Sequence, residues 1–225
     1  MSVALLAQAA NCLGPLVDDV VFLGGASIGL WLSDPGAAEP RVTVDVDVVV
    51  VASTVEYYRL SERLRQRGFS EDSTSNVICR WRHSSGVVLD VMPTDASVLG
   101  FSNRWYPDAF ETAVLVTLPD GQRIRAAAPV YIVATKIEAF RGRGANDYLA
   151  SHDFEDIVRL LDGRPELVDE ITIASADVRE FIGGSLGTMR GDTFFETGVA
   201  GALPPDVASQ ARLPIVLERI GRLAI

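Results

Sequence analysis

Lysine is almost missing from this chain: Lys136 is the single one, and the other basic residues among the 20 Lys+Arg are arginines. Cysteine is scarce too, and Cys12 and Cys79 are too few for a disulfide scaffold, so reduced thiols and a cytoplasmic setting are expected. His83 and His152 have no metal-ligand spacing. No apolar run is long enough for a membrane span, the longest, near Val48–Ala52, being strand-sized. The amphiphilic stretch Val3–Leu13 lacks a basic leader and reads as a first helix, not a signal peptide. Positive charge is in deficit as well, and a formal net charge of -10 argues against a broad basic surface for gripping nucleic acid. Repeats and low-complexity tracts are absent.

What is present is an ordinary globular composition, 48% apolar and 22% charged over 225 residues, enough for one sizeable core or a core plus a smaller lobe. The arginines gather locally: Arg59, Arg63, Arg65 and Arg67 on one helix, Arg80 and Arg82 on the next strand, Arg141 and Arg143 after another helix. Such clusters can attract phosphate despite the acidic total. Val20–Leu23 is a short apolar strand broken by Gly24-Gly25, where a tight strand-to-helix turn requires missing side chains. A short helix over Ala26–Leu32 and a loop to Pro40 follow. Thr54 is the expected cap of a helix ending at Gly68. Asn76–Arg82 and Gly86–Val91 read as strands around the turn His83-Ser-Ser85, and Val114–Leu118 and Gln122–Ala126 as a hairpin around Pro119-Asp-Gly121. Pro129 starts a helix to about Phe140. From Ser151 the pattern is mainly helical, the last stripe, Val207–Ile220, being interrupted or kinked at Pro214. The expectation is an α/β (α+β) fold, a mixed sheet with flanking helices over residues 1–128 and a smaller helical lobe over residues 129–225, with a cleft between them.

The chemistry concentrates in Arg41-Val-Thr-Val-Asp45-Val-Asp47-Val-Val-Val. Residues i and i+2 of a strand share a face, so Asp45 and Asp47 converge, and a third acid, Asp90, arrives from the apolar run Val87–Met92. Burying bare carboxylates is costly, so something positive belongs beside them. Paired hard cations on such carboxylates, Mg2+ or Mn2+, both neutralise a triphosphate and activate an attacking hydroxyl. The Gly24-Gly25 turn would offer backbone N–H groups to the outer phosphates, with Ser27 adding a hydroxyl if it faces inward.

The order Gly-Gly-x-Ser, Arg-x-Thr-x-Asp-x-Asp, Leu-Asp-Val, Lys-x4-Arg-x-Arg and Asp-x2-Asp resembles the nucleotidyltransferase superfamily of the DNA polymerase beta type, and within it the AbiEii/AbiGii toxin branch. The resemblance spans roughly Val21–Leu161, with the serine displaced to Ser27 and a long spacer between Gly25 and Asp45. It implies that Asp45, Asp47 and Asp90 are the metal-binding triad and that Gly24, Gly25 and Ser27 shape the phosphate site. It implies that Lys136 contacts phosphate or the catalytic acids, and that Asp156, the second acid of Asp153-Phe-Glu-Asp156, is the functional one. Arg41, Arg141 and Arg143 are further candidates for the nucleotide. The implied activity is transfer of a nucleotidyl group from a nucleoside triphosphate to a hydroxyl on transfer RNA, protein or a small molecule, with a cognate antitoxin as a partner.

Blander readings accompany these residues. Asp45 and Asp47 also suit a solvated strand face, Gly24-Gly25 an ordinary turn, and Arg41 a strand anchor. Lys136 also suits a side chain snorkelling to solvent, and Asp153 and Asp156 a helix cap or partners of Arg141 and Arg143. Trp81 and Trp105 suit packing better than base stacking. Rival functions are a kinase-like phosphotransferase using the same pocket, an antibiotic adenylyltransferase, and a regulatory or complex-forming module without catalysis.

Overall fold

The computed structural model describes residues 2–143 and 147–225, apart from the side chain of Arg143. The chain divides into two units, one formed by Met1–Gly29 and Arg41–Ala128, the other by Leu30–Pro40 and Pro129–Ile225.

The first unit is built on a seven-stranded mixed sheet with the order β3-β4-β5-β2-β1-β7-β6. Helix α1 (Ser2–Leu13) buries Leu6, Ala9, Ala10 and Leu13 and leads through a 3-10 turn into β1 (Val21–Leu23), all of whose side chains are buried. The expected helix after β1 is one turn of α-helix, α2 (Gly24–Ser27), continued as a 3-10 turn over Ile28–Leu30. Strand β2 (Asp45–Val50) runs antiparallel to β1 and parallel to β5. Its Val46 and Val48 are fully buried on the face opposite the aspartates, each contributing about 1.5–3 kcal/mol of burial. Helix α3 (Thr54–Gln66) is capped by Ser53 and not by Thr54: the Ser53 side chain accepts from the Glu56 N–H while the Glu56 carboxylate accepts from the Ser53 N–H. This reciprocal pairing satisfies the orphan donors of the first turn.

Strand β3 (Phe69–Glu71), which the sequence reading did not anticipate, pairs with β4 (Arg80–His83). Strand β4 begins four residues later than expected and turns back into β5 (Val88–Pro93), buried along its whole length. Short helices α4 (Ala96–Leu99) and α5 (Tyr106–Glu111) lead to the hairpin of β6 (Val114–Thr117) and β7 (Arg123–Ala126), whose turn holds Gly121 at φ +89°.

The second unit is helical: α6 (Pro129–Arg143), α7 (His152–Gly163), α8 (Leu167–Ile173), α9 (Ala176–Arg190), α10 (Phe195–Ala202), α11 (Val207–Gln210) and α12 (Leu213–Leu223). Helix α7 is capped by the Ser151 hydroxyl and is buried over most of its surface, so it is the core element of this unit. Phe140, Tyr148, Phe154 and Phe195 meet around it with ring centroids 4.9–6.0 Å apart. Pro214 does not kink a helix; it sits in the first turn of α12, where its missing N–H costs nothing. The loop Leu30–Pro40 belongs to this unit because the end of α7 holds it. Gly163 O accepts from the N–H groups of Ser33 and Asp34, and Arg212 bridges Asp34 and Asp162, both at 2.6 Å. A Cβ at Gly163 would stand 2.7 Å from Leu32 Cδ2, so a larger residue there would have to push the Leu32 side chain aside.

Candidate active site

Register places the acids. In the parallel pair β2–β5, Asp47 lies opposite Asp90 and Asp45 opposite Val88, so Asp45, Asp47 and Asp90 share one face of the sheet. In the antiparallel pair β4–β5, Arg80 lies opposite Asp90 and therefore joins them. Leu89 and Val91 point the other way, into the core with Val46 and Val48.

The Arg80 guanidinium grips Asp90 with two bonds, Nε to Oδ1 at 2.8 Å and Nη2 to Oδ2 at 2.7 Å, and Nη2 also reaches Asp45 Oδ2 at 2.6 Å. Thr43 Oγ1 donates to the other Asp45 oxygen at 2.8 Å. Side-chain exposure falls from 28% at Asp45 to 18% at Arg80 and 8% at Asp90, so the face opens at the Asp45 end. The bonds to Asp90 hold the Arg80 proton more tightly than usual. Beneath this face burial, reinforced by the charges of Asp90 and Asp47, pushes the Cys79 thiol up to about 12 and makes it a poor nucleophile.

Asp47 is located by the glycine turn. Gly24 adopts φ +73°, and a Cβ there would fall 1.9 Å from Asp47 Oδ2. Only glycine lets the backbone turn so closely over the carboxylate. The turn and the acidic strand are thus one structure. Among the described residues, no three acidic, histidine or cysteine side chains close on a common point as a metal-binding group. Chemically the donor set is nonetheless of the hard-oxygen kind that divalent cations take, and a cation, the Arg80 guanidinium, already lies between Asp45 and Asp90.

The second unit carries its own constellation. Lys136 on α6 does not snorkel: it is buried, and its Nζ lies 2.9 Å from Asp153 Oδ1 and 2.7 Å from Asp156 Oδ2, both acids projecting from the first turns of α7. Their spacing of three along the helix brings the acids to the same ammonium. Asp156 is 1% exposed, so this pair is desolvated.

Other candidates fall elsewhere. Ser27 is fully buried, and its hydroxyl donates back to Gly24 O at 2.8 Å. Gly25 is buried inside α2. Arg41 is half-buried in the irregular segment before β2. Arg141 faces α9, 3.3 Å from Ser185 Oγ and over the Phe181 ring. The side chain of Arg143 lies outside the described residues. Trp81 and Trp105 are buried. Sequence reasoning missed the roles of Arg80 and Thr43 beside the acids, although counting outward from the turn after His83 pairs Arg82 with Val88 and then Arg80 with Asp90.

A mixed sheet with flanking helices, carrying a carboxylate pair on one strand and a third acid on its parallel neighbour under a glycine turn, is a nucleotidyltransferase-like fold. Residues 5–200 match the model of the family described as "Nucleotidyl transferase AbiEii toxin, Type IV TA system", and the chain belongs to that family of nucleotidyl transferase toxins. No match was found among curated proteins. Among the described residues, no helix is long and apolar enough to cross a membrane.

Proposed function

We propose that this chain is a magnesium- or manganese-dependent transferase that takes a nucleoside triphosphate and moves its nucleotidyl group to a hydroxyl, releasing pyrophosphate. The observation that carries this reading is the shared face of Asp45, Asp47 and Asp90 with Gly24 pressed onto Asp47. Asp45 and Asp47 would hold the divalent ions, and Asp90 would serve the ion on the attacking-hydroxyl side. Bound there, the ions neutralise phosphate charge and lower the pKa of the hydroxyl. The chain's own residues supply the rest. Gly24 and Gly25 border the phosphates with backbone and no side-chain bulk, and Arg41 is a candidate phosphate contact. The acceptor hydroxyl belongs to a transfer RNA, a protein or a small molecule, and a cognate antitoxin opposes the activity in the cytoplasm.

The test uses the full chain with Mg2+ and each triphosphate labelled at either the α or the γ phosphate. Label from the α position on an RNA, protein or metabolite fraction is expected. Label only from the γ position would replace this reading with a kinase-like phosphotransfer, and label from neither would leave the fold as a binding module.

A further inference from the structure

The Arg80 guanidinium is committed to the acids. Both oxygens of Asp90 accept from its guanidinium, as does Asp45 Oδ2, while Thr43 takes Asp45 Oδ1. Every carboxylate oxygen of these two acids is therefore engaged by the protein itself. A guanidinium is suited to this because its planar fork binds one carboxylate with two bonds and still offers an N–H to another. The arrangement also answers why such a face is tolerable in the folded chain, since like charges packed together need a counter-ion.

Resting on the function proposed above, we infer that Arg80 is the resident counter-ion of the acidic face, holding the oxygens of Asp45 and Asp90 that a divalent cation would take, and that its guanidinium leaves them to donate instead to phosphate oxygens of the incoming triphosphate. The exchange needs only a side-chain movement. The Arg80 backbone is fixed by its pairing with Asp90 in the β4–β5 ladder, whereas the guanidinium sits toward the more open end, where Asp45 is 28% exposed. A cation and a guanidinium compete for the same lone pairs, so divalent ions alone bind weakly. Nucleotide gives the displaced guanidinium a new anionic partner, and by linkage it tightens metal binding. The device would keep the site free of metal until substrate arrives. Arg80 is thus a positioning residue, acting through the acids.

The inference is tested by Mn2+ titration of the full-length protein followed by electron paramagnetic resonance, which reads free ion and needs no turnover. The wild type, Arg80→Gln, Arg80→Lys and Asp47→Asn are compared, each with and without a non-hydrolysable triphosphate. Without nucleotide, Arg80→Gln is expected to bind Mn2+ about tenfold tighter than wild type or better, as removal of a charge-assisted bidentate competitor requires. Arg80→Lys, which cannot span both acids, falls between, and nucleotide tightens the wild type more than either variant. If Arg80→Gln does not fold, as judged by circular dichroism, Arg80→Lys retains the charge and carries the test alone. Unchanged or weaker Mn2+ affinity in the Arg80 variants, with weakening in Asp47→Asn, would make Arg80 a permanent structural anchor and overturn the inference while leaving the proposed function standing. No Mn2+ binding by any of the proteins would overturn both.

Discussion

Substituting Gly24 by alanine separates the two demands that the turn makes. The first is backbone conformation: at φ +73° an L-residue pays about 1–2 kcal/mol. The second is space. The new Cβ would sit 1.9 Å from Asp47 Oδ2 and 2.6 Å from Asp47 Cγ, so the carboxylate must retreat by about 1.5 Å to reach ordinary contact. Gly121→Ala is the matched control, since Gly121 has φ +89° in the β6–β7 turn and a methyl group there would meet nothing within 4 Å. For a chain of this size each kcal/mol lowers Tm by about 2–4 °C. Gly121→Ala should therefore lose a few degrees and keep its activity. Gly24→Ala should lose at least as many and, because a misplacement of about 1 Å costs about a hundredfold in rate, should transfer labelled nucleotide at about one hundredth of the wild-type rate or less. Thermal unfolding and initial rates on the same preparations decide it. A Gly24→Ala protein with wild-type turnover would show that the position of Asp47 does not matter to the reaction.

Two further perturbations address charge. Lys136→Met strands Asp153 and Asp156 beside α6, Asp156 being 1% exposed, and should cost about 3–5 kcal/mol in urea unfolding; a loss well under 1 kcal/mol would mean that the pair is not the buried unit described. Asp72 is held down to about 2 from 3.8, chiefly by the Thr74 hydroxyl and then by Arg82 and the Thr74 N–H. Because the folded-state value is depressed, the carboxylate stabilises the fold fully above 3.8 and loses that contribution as pH falls toward 2. The Tm gap between wild type and Asp72→Asn should be constant near neutrality and close as pH is lowered through this window. A gap independent of pH would refute the assignment.

Local signals were legible in the sequence wherever they were strong. Alternation alone placed Asp45 and Asp47 on one side of a strand, Gly24-Gly25 marked the turn, and Pro119-Asp-Gly121 marked a hairpin. Asp90 could be named but not placed, because its face depends on the register between β2 and β5, a pairing between residues far apart in sequence. Arg80 was read as one of several arginines available to phosphate, since its partners are set by the same long-range register together with the β4–β5 hairpin. The Lys136 pairing needed the packing of α6 against α7, whereas spacing alone left snorkelling open. At α3 both Ser53 and Thr54 are good caps in isolation; Glu56 three residues after Ser53 was the discriminating signal. At Pro214 the stripe Val207–Ile220 could be either interrupted or kinked, and the structure shows an interruption, with the short helix α11 ending before α12 begins.

Whether the acidic face performs nucleotidyl transfer is read most directly from the transfer of α-labelled triphosphate in Mg2+ to whole-cell RNA and protein fractions by the wild type and by Asp47→Asn, each verified as folded. The wild type should label one fraction, and the variant should leave it unlabelled. Equal labelling by the two proteins would contradict a catalytic role for that face.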